Sequence, residues 1–490
     1  MRVKVCLMVI ILLGILLRVI NITNPLLDRA GWRQTDTAAI ARNFYYNNFN
    51  IFYPQIDWGG NSSGYVETEF QLFPFIAALL YKITGVQEWI GRLLAIFFSV
   101  GSMWLIYRLS KKYLGIKTAL FSTIFFAICP LNIYYSRTFM PESTMSFFSI
   151  AFIYYFSQWL DNEKWANFLL TGLCGILALL IKIPTLYLGL PILYLAYIKY
   201  NKSLFIKWKL WLLAGIILLP TILWYYHAHQ IFKEYSLTFG IWDIGQDKWG
   251  NIQIWTDKKF YITLFHRFKG EVLTPIGLCL FLFGIILKVR QKEEFLFHFW
   301  LIGIIIYFFV VAAGNMEHNY YQLPLVSVAS IFIGKSLILF INKKLLYEKV
   351  IGWIIITIAF LSISLFSYKA IKSFYFWSRP IYFAGKSVDK LVEKDILIIV
   401  SYDTHHGPEL LYYCKRKGWY IKFSDINPQI VETYRRQGAK YLVIAFERFH
   451  VDAFLMKYNN LDFLRNDYRF IKSSKRNFII FDLRSNTKLH

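Results

Sequence analysis

The chain has 490 residues, 57% of them hydrophobic and only 17% charged, and its 54 Lys and Arg against 30 Asp and Glu give a net charge of +24. Soluble chains average about 45–50% apolar and about 25% charged residues. This balance excludes a string of soluble domains, a disordered tail protein, a collagen-like chain and a secreted disulfide scaffold.

The first apolar run, 5–22, follows Arg2 and Lys4 in the manner of a signal peptide. No small-residue cleavage site comes after it, so it reads as an uncleaved span. Further runs of spanning length occur at about 90–107, 118–135, 140–160, 165–181, 183–198, 208–226, 272–287, 295–313, 320–341 and 350–366, against the roughly 17–25 residues a crossing needs. A shorter run, Phe70–Ile83, has 14 residues and contains Pro74. Charge decides its place. If it does not cross, the loops on the N-terminal side hold 17 Lys and Arg in 44 residues and the opposite loops 13 in 125. Basic loops stay in the cytoplasm. Phe70–Ile83 is therefore expected to be an interfacial helix on the outer face, and the chain to cross about eleven times.

Eleven crossings put the residues after about 369 outside. That tail holds 22 Lys and Arg against 12 Asp and Glu. Strands are expected at Ile396–Val400, Tyr441–Ile444 and Phe478–Asp482, with helices at Glu409–Lys417 and Gln429–Gln437. The expectation is a polytopic α-helical membrane domain over 1–368 and a small extracytoplasmic α/β domain over 369–490.

The five cysteines form no CxxC or Cys/His zinc spacing, and four lie in apolar runs, so neither disulfides nor structural zinc is supported. Asp403, His405 and His406 lack a matching ligand cluster and read as a solvated loop. No metal ligand set and no cofactor is expected, a divalent ion being left open. The excess of positive charge points to retention signals and anionic lipid before nucleic acid, and no nucleic-acid motif occurs.

Ionisable groups at membrane depth are costly and are functional candidates. Three outer stretches collect them. The first runs from Asp28 through Arg33 and Asp36 to Arg42, with Glu67 and Glu69 before the interfacial helix. A helix is expected to begin near Asp36, where Asp36 could simply be its N-cap. Arg33 and Arg42 are placed to keep Asp36 ionised. Glu67 and Glu69 could serve the helix dipole alone. The second stretch holds Arg137 and Glu142, which could equally be snorkelling anchors. The third is Lys182, between two short runs whose turn should be recessed; a bound anion is its natural partner. His318, Tyr320 and Tyr321 close a later outer turn, where an aromatic belt is the plainer reading. Carboxylates and cations facing one compartment beside lipid suit sugar transfer from a lipid phosphate: a carboxylate as general base, cations on the departing phosphate.

Trp32-Arg33-Gln34 with Asp36, Ile40-Ala41-Arg42, Glu67 and Glu69 before Phe70-Gln71-Leu72, Arg92-Leu93-Leu94, Tyr135-Ser136-Arg137 with Pro141-Glu142, Lys182-Ile183-Pro184 and His318-Asn319-Tyr320-Tyr321 with Pro324 follow one another on one side. In this order they resemble the membrane glycosyltransferases of the GT-C fold, in the branch of dolichyl-phosphate-mannose protein mannosyltransferases and aminoarabinose transferases. The resemblance implies eleven to thirteen spans, an interfacial helix, a polyprenyl-phosphate-linked sugar as donor and a glycan, lipid or protein acceptor. That family places its catalytic aspartate in the first outer loop, often as Asp-Glu. Aligning Ile40-Ala41-Arg42 puts Arg33-Gln34 there. Asp36 is then the first choice for the base and Asp28 the second. The resemblance also implies Lys182, Arg137 and Arg33 as donor-phosphate ligands, and Glu67, Glu69, Glu142, His318, Tyr320 and Tyr321 as substrate-binding residues. The enzyme would be a multi-pass protein of the cell membrane with an extracytoplasmic site. A lipid-linked sugar transporter or flippase is the alternative; polar groups gathered on one face, with no internal repeat, favour the enzyme.

Overall fold

The computed structural model describes residues 2–240, 248–342, 345–403, 407–447, 461–474 and 477–486. Two compact units divide the chain. One comprises Met1–Ile22, Arg92–His227 and Gly240–Phe374; the other comprises Thr23–Gly91, Ala228–Phe239 and Tyr375–His490. A boundary near 369 follows the composition of the chain. Packing instead groups the first long loop with the C-terminal tail.

Each of the expected apolar runs falls on helix. Five described helical segments, Glu88–Leu114, Trp208–Tyr235, Lys292–Val310, Asn319–Ile341 and Leu346–Leu391, are long and apolar enough to cross a membrane. Lys258–Val272 and Pro275–Ile286, bent by 106°, would make a sixth. The expected count of eleven thus needs shorter pieces as well. Proline accounts for one of them. The 118–135 run divides into Ile116–Ile128 and Pro130–Tyr135, with Pro130 at the first position of the second piece; proline lacks the N–H a continuous helix would use and favours a helix start. Likewise the 183–198 run opens as a tight turn at Ile183–Leu188 before Gly189–Tyr200. Small residues let these helices approach closely. A Cβ at Gly334 would stand 2.2 Å from Ser122 Oγ.

Buried arginines tie the first helix down. Arg18 donates to the carbonyls of Gly14 and Ala127, both at 3.0 Å. Arg92 donates to Ile22 O at 2.9 Å and Arg137 to Asn21 O at 2.7 Å, just beyond the helix Arg2–Val19. Cationic side chains commonly satisfy carbonyls left without partners at helix C-termini.

The smaller unit contains a five-stranded sheet of β1 Leu397–Tyr402, β2 Gly418–Lys422, β3 Ala439–Ala445, β4 Tyr468–Ser474 and β5 Phe478–Asn486, in the order β2-β1-β3-β5-β4. β1 pairs in parallel with β2 and β3, and β5 antiparallel with β3 and β4. Central parallel strands are covered on both faces and read as continuous apolar runs. Ile398, Ile399 and Val400 in β1 and Leu442–Ala445 in β3 are all buried. The three expected strands are present. β2, β4 and the helices Arg379–Leu391 and Asp462–Asp467 were not anticipated. The expected helix over 409–417 ends at Cys414, where Lys415 turns into the left-handed region at φ 52°. The second helix runs Pro428–Arg436, capped by the Asn427 side chain accepting from Ile430 N–H at 2.9 Å.

The first long loop docks on the edge of this sheet. Gly418 N–H donates to Asp57 O at 3.1 Å and Gly60 N–H to Gly418 O at 2.8 Å. Gly60 sits at φ 66°, and a Cβ there would meet the Trp419 ring at 2.1 Å. Only glycine supplies both the turn and the clearance. Asp403 accepts from Glu447 N–H at 3.1 Å; His405 and His406 lie outside the described residues.

Candidate functional site

In the smaller unit, the helix Gly31–Tyr46 buries an unusual set of polar side chains: Arg33, Gln34, Thr35, Asp36, Thr37, Arg42 and Asn43. Polar groups survive burial only where they are paired. Thr35 and Thr37 donate to the carbonyls of Gly31 and Arg33, four residues back. Gln34 Nε2 donates to Asp28 at 2.5 Å. Arg33 pairs with Glu69 at 3.0 Å and lies 4.8 Å from the Phe239 ring centre. Arg42 pairs with Asp57, donates to Tyr412 O at 2.9 Å and covers the Tyr412 ring.

Two expectations about Asp36 are corrected here. The helix starts at Gly31, after Ala30 in the left-handed region at φ 61°. Asp36 therefore sits in the second turn and is not the N-cap. Nor do Arg33 and Arg42 together hold it ionised. Asp36 is 2% exposed, and burial pushes its carboxyl well above the usual carboxylate range. Arg33 draws it part of the way back, Glu409 raises it further, Trp58 Nε1–H donates to it at 3.1 Å and lowers it, and Asp57 adds a last upward push. Arg42 is committed to Asp57.

Glu67 is fully buried. It accepts from Thr238 Oγ1 at 2.5 Å and lies 3.7 Å from His229 Nδ1. Its backbone bridges the 237–239 segment, Glu67 N–H donating to Leu237 O and Phe239 N–H to Glu67 O. The helix expected to be interfacial begins only at Leu72, so Glu67 is held by this bridge and not by the helix dipole. Asp57, Trp58, His229, Thr238, Phe239 and Glu409 escaped the sequence reading. Each lies far in sequence from the residues it meets, and no local pattern marks it. Glu409, an acidic residue opening a helix, offered the one usable signal.

In the larger unit, Lys182 ends the helix Trp165–Ile181 in extended conformation. Its Nζ lies 3.0 Å from Glu142 Oε1, and 5.4 and 5.3 Å from the ring centres of Tyr320 and Tyr321. The expected partner was a bound anion; the structure supplies a carboxylate of the chain itself. Glu142 stands in the first turn of its helix after Pro141 and is buried. His318 stacks on Tyr320 and Tyr321 at 5.1 and 5.7 Å. Asn319 accepts from Tyr135 at 2.5 Å and donates to Glu271 at 2.7 Å. Lys182, Glu142, Tyr320, Tyr321 and His318 thus form one cluster. Arg137 has no exposed surface, and is engaged with Asn21 O and the Tyr134 ring. Among the described residues no three His, Cys, Asp or Glu side chains are arranged to hold a metal ion.

Residues 71–227 match the family model of dolichyl-phosphate-mannose-protein mannosyltransferase. No curated protein matches the chain significantly by sequence. By structure the chain is similar to ArnT from Cupriavidus metallidurans bound to undecaprenyl phosphate, with TM-score 0.66 and 12% identity over 98% of both chains. The chain has the GT-C fold. The Archaeoglobus fulgidus oligosaccharyltransferase in complex with Zn and sulfate is also similar, at TM-score 0.63 and 12% identity over 97% of this chain and 73% of that one. The mycobacterial arabinofuranosyltransferase AftD matches at TM-score 0.57 and 12% identity, over 98% of this chain and 41% of that one. Both the family model and these structures belong to glycosyltransferases.

Proposed function

We propose that the chain is a multi-pass membrane glycosyltransferase that moves a sugar from a polyprenyl-phosphate donor to an extracytoplasmic lipid, glycan or protein acceptor, with inversion at the anomeric carbon. The observation that carries the reading is the buried Asp36 carboxyl, whose raised proton affinity strengthens it as a general base. Asp36 takes the proton of the acceptor hydroxyl as that oxygen bonds to the anomeric carbon. The bond from the anomeric carbon to the phosphate oxygen breaks, and polyprenyl phosphate leaves with the electron pair. Lys182, in the larger unit, is proposed as a ligand of the donor phosphate. Glu142 serves as the counterion of Lys182 before donor arrives. Arg33 tunes Asp36 while bound to Glu69, and Arg137 positions the end of the first helix. Asp28, hydrogen-bonded to Gln34, supports the turn before the helix; Glu67 fixes the loop through Thr238.

The base assignment has a test in the acid limb of the pH–rate profile. Arg33 favours the charged form of Asp36. Arg33→Gln should therefore move the acid limb of kcat to higher pH, since more alkaline solution is needed to ionise the carboxyl. An unmoved or acid-shifted limb would remove Asp36 from the rate equation.

The side of the membrane has its own test. Reporter fusions after Tyr200 and Ser373 should read cytoplasmic and external respectively, as the 17-to-13 distribution of basic residues requires. An external reading after Tyr200 would invert the proposed orientation.

A further inference from the structure

The larger unit contains a cavity of about 640 Å³ whose lining includes Lys117, Lys288, Arg290 and Lys335. Lys335 is half-buried, bonds Leu287 O at 3.1 Å and lies 3.5 Å from Glu294, the one carboxylate in the wall. Lys117, Lys288 and Arg290 are exposed. Among the described residues of the wall, four cations against one carboxylate leave it net positive. Leu114, Ile116, Leu287, Ile338 and Leu339 give the wall an apolar part, beside the polar Thr118, Gln291 and Asn342. The cavity is also entered by the start of the helix Ile116–Ile128, whose first N–H groups lack helical partners and favour an anion.

We propose that this cavity binds the headgroup of an anionic phospholipid. The cations and the helix start meet the phosphate, and the apolar wall meets the first carbons of the acyl chains. A free phosphate would use the cations and leave the apolar wall unfilled, so the lining favours the lipid. Lys117, Lys288 and Arg290 fall in or beside the loops assigned to the cytoplasmic face, where anionic lipid attracts juxtamembrane cations. The proposal is independent of the chemistry assigned to Asp36 and Lys182.

The test uses the full chain in neutral detergent, titrated with mixed micelles of phosphatidylglycerol, of phosphatidylcholine, or with inorganic phosphate. Retained lipid is counted by native mass spectrometry and the Tm is followed in parallel. Phosphatidylglycerol should be retained and raise the Tm; the other two should do neither. Lys288→Gln and Arg290→Gln should each weaken retention about fivefold, the factor that corresponds to roughly 1 kcal/mol per cation at an anionic surface. Lys202→Gln, at an exposed basic position outside the cavity, should leave retention unchanged. Equal retention of phosphatidylcholine, protection by inorganic phosphate alone, or an equal loss in Lys202→Gln would each overturn the assignment.

Discussion

Asp36→Asn is expected to raise the melting temperature and to lower turnover by about 10²–10⁴-fold, the range general-base catalysis contributes. Asn keeps the oxygen that accepts from Trp58 Nε1–H and fills nearly the same volume, so the packing of the helix survives. The charge is what changes. Because burial raises the carboxyl's proton affinity, the folded state binds a proton more tightly than the unfolded chain. Stability is then lost as pH rises from the ordinary carboxylate value of about 4 towards the folded value, and stays lost above it. Asn escapes that loss. The gap in Tm between variant and wild type should be small below about pH 4 and widen with pH. Melting curves from pH 4 to 8, beside single-turnover rates, check both halves. A variant that turns over slowly and is also less stable would make Asp36 a structural residue. If Asp28→Asn loses turnover while Asp36→Asn keeps it, the base is Asp28.

Lys182→Ala is expected to destabilise the fold by roughly 3–5 kcal/mol, because it strands the buried Glu142 carboxylate without the cation beside it. Loss of activity in that variant alone would therefore say little about the donor. The informative protein is Lys182→Met combined with Glu142→Gln, which removes both charges and should recover most of the stability. Its affinity for polyprenyl-phosphate sugar should still be about 10- to 100-fold below wild type, as expected when a charge-assisted hydrogen bond to a phosphate is removed. Glu142→Gln alone should bind donor at least as well as wild type, since it frees Lys182. Wild-type donor affinity in the double variant would leave Lys182 and Glu142 as a structural pair.

The helical part of the fold was legible because long apolar runs have few alternatives. What composition could not supply was where each run breaks. Pro130 interrupts one run, and the 3₁₀ turn after Lys182 shortens another. The central strands β1 and β3 showed as apolar runs. β2 and β4 lie at the sheet's edges, where one-sided exposure dilutes the pattern: Gly418–Lys422 is part buried, and Phe470 and Ile471 are exposed. The candidate residues were visible as charges in apolar surroundings, but their pairings were not. Arg42 meets Asp57 and Asp36 meets Trp58 only after the long loop folds back. Asp36 looked like a cap because aspartate is a good one; the helix begins five residues earlier, at Gly31, behind a left-handed alanine that carries no capping signal.

Sugar transfer by the purified chain reconstituted in liposomes tests the central claim most directly. The donor is a polyprenyl-phosphate sugar labelled in the sugar, offered with cell-envelope lipid and glycan extract, for wild type and Asp36→Asn side by side. The account predicts that wild type moves label from donor to acceptor and releases polyprenyl phosphate, while Asp36→Asn binds the donor equally well and moves label at least a hundredfold more slowly. Intact donor carried across the bilayer without transfer, or transfer by Asp36→Asn at the wild-type rate, would contradict it.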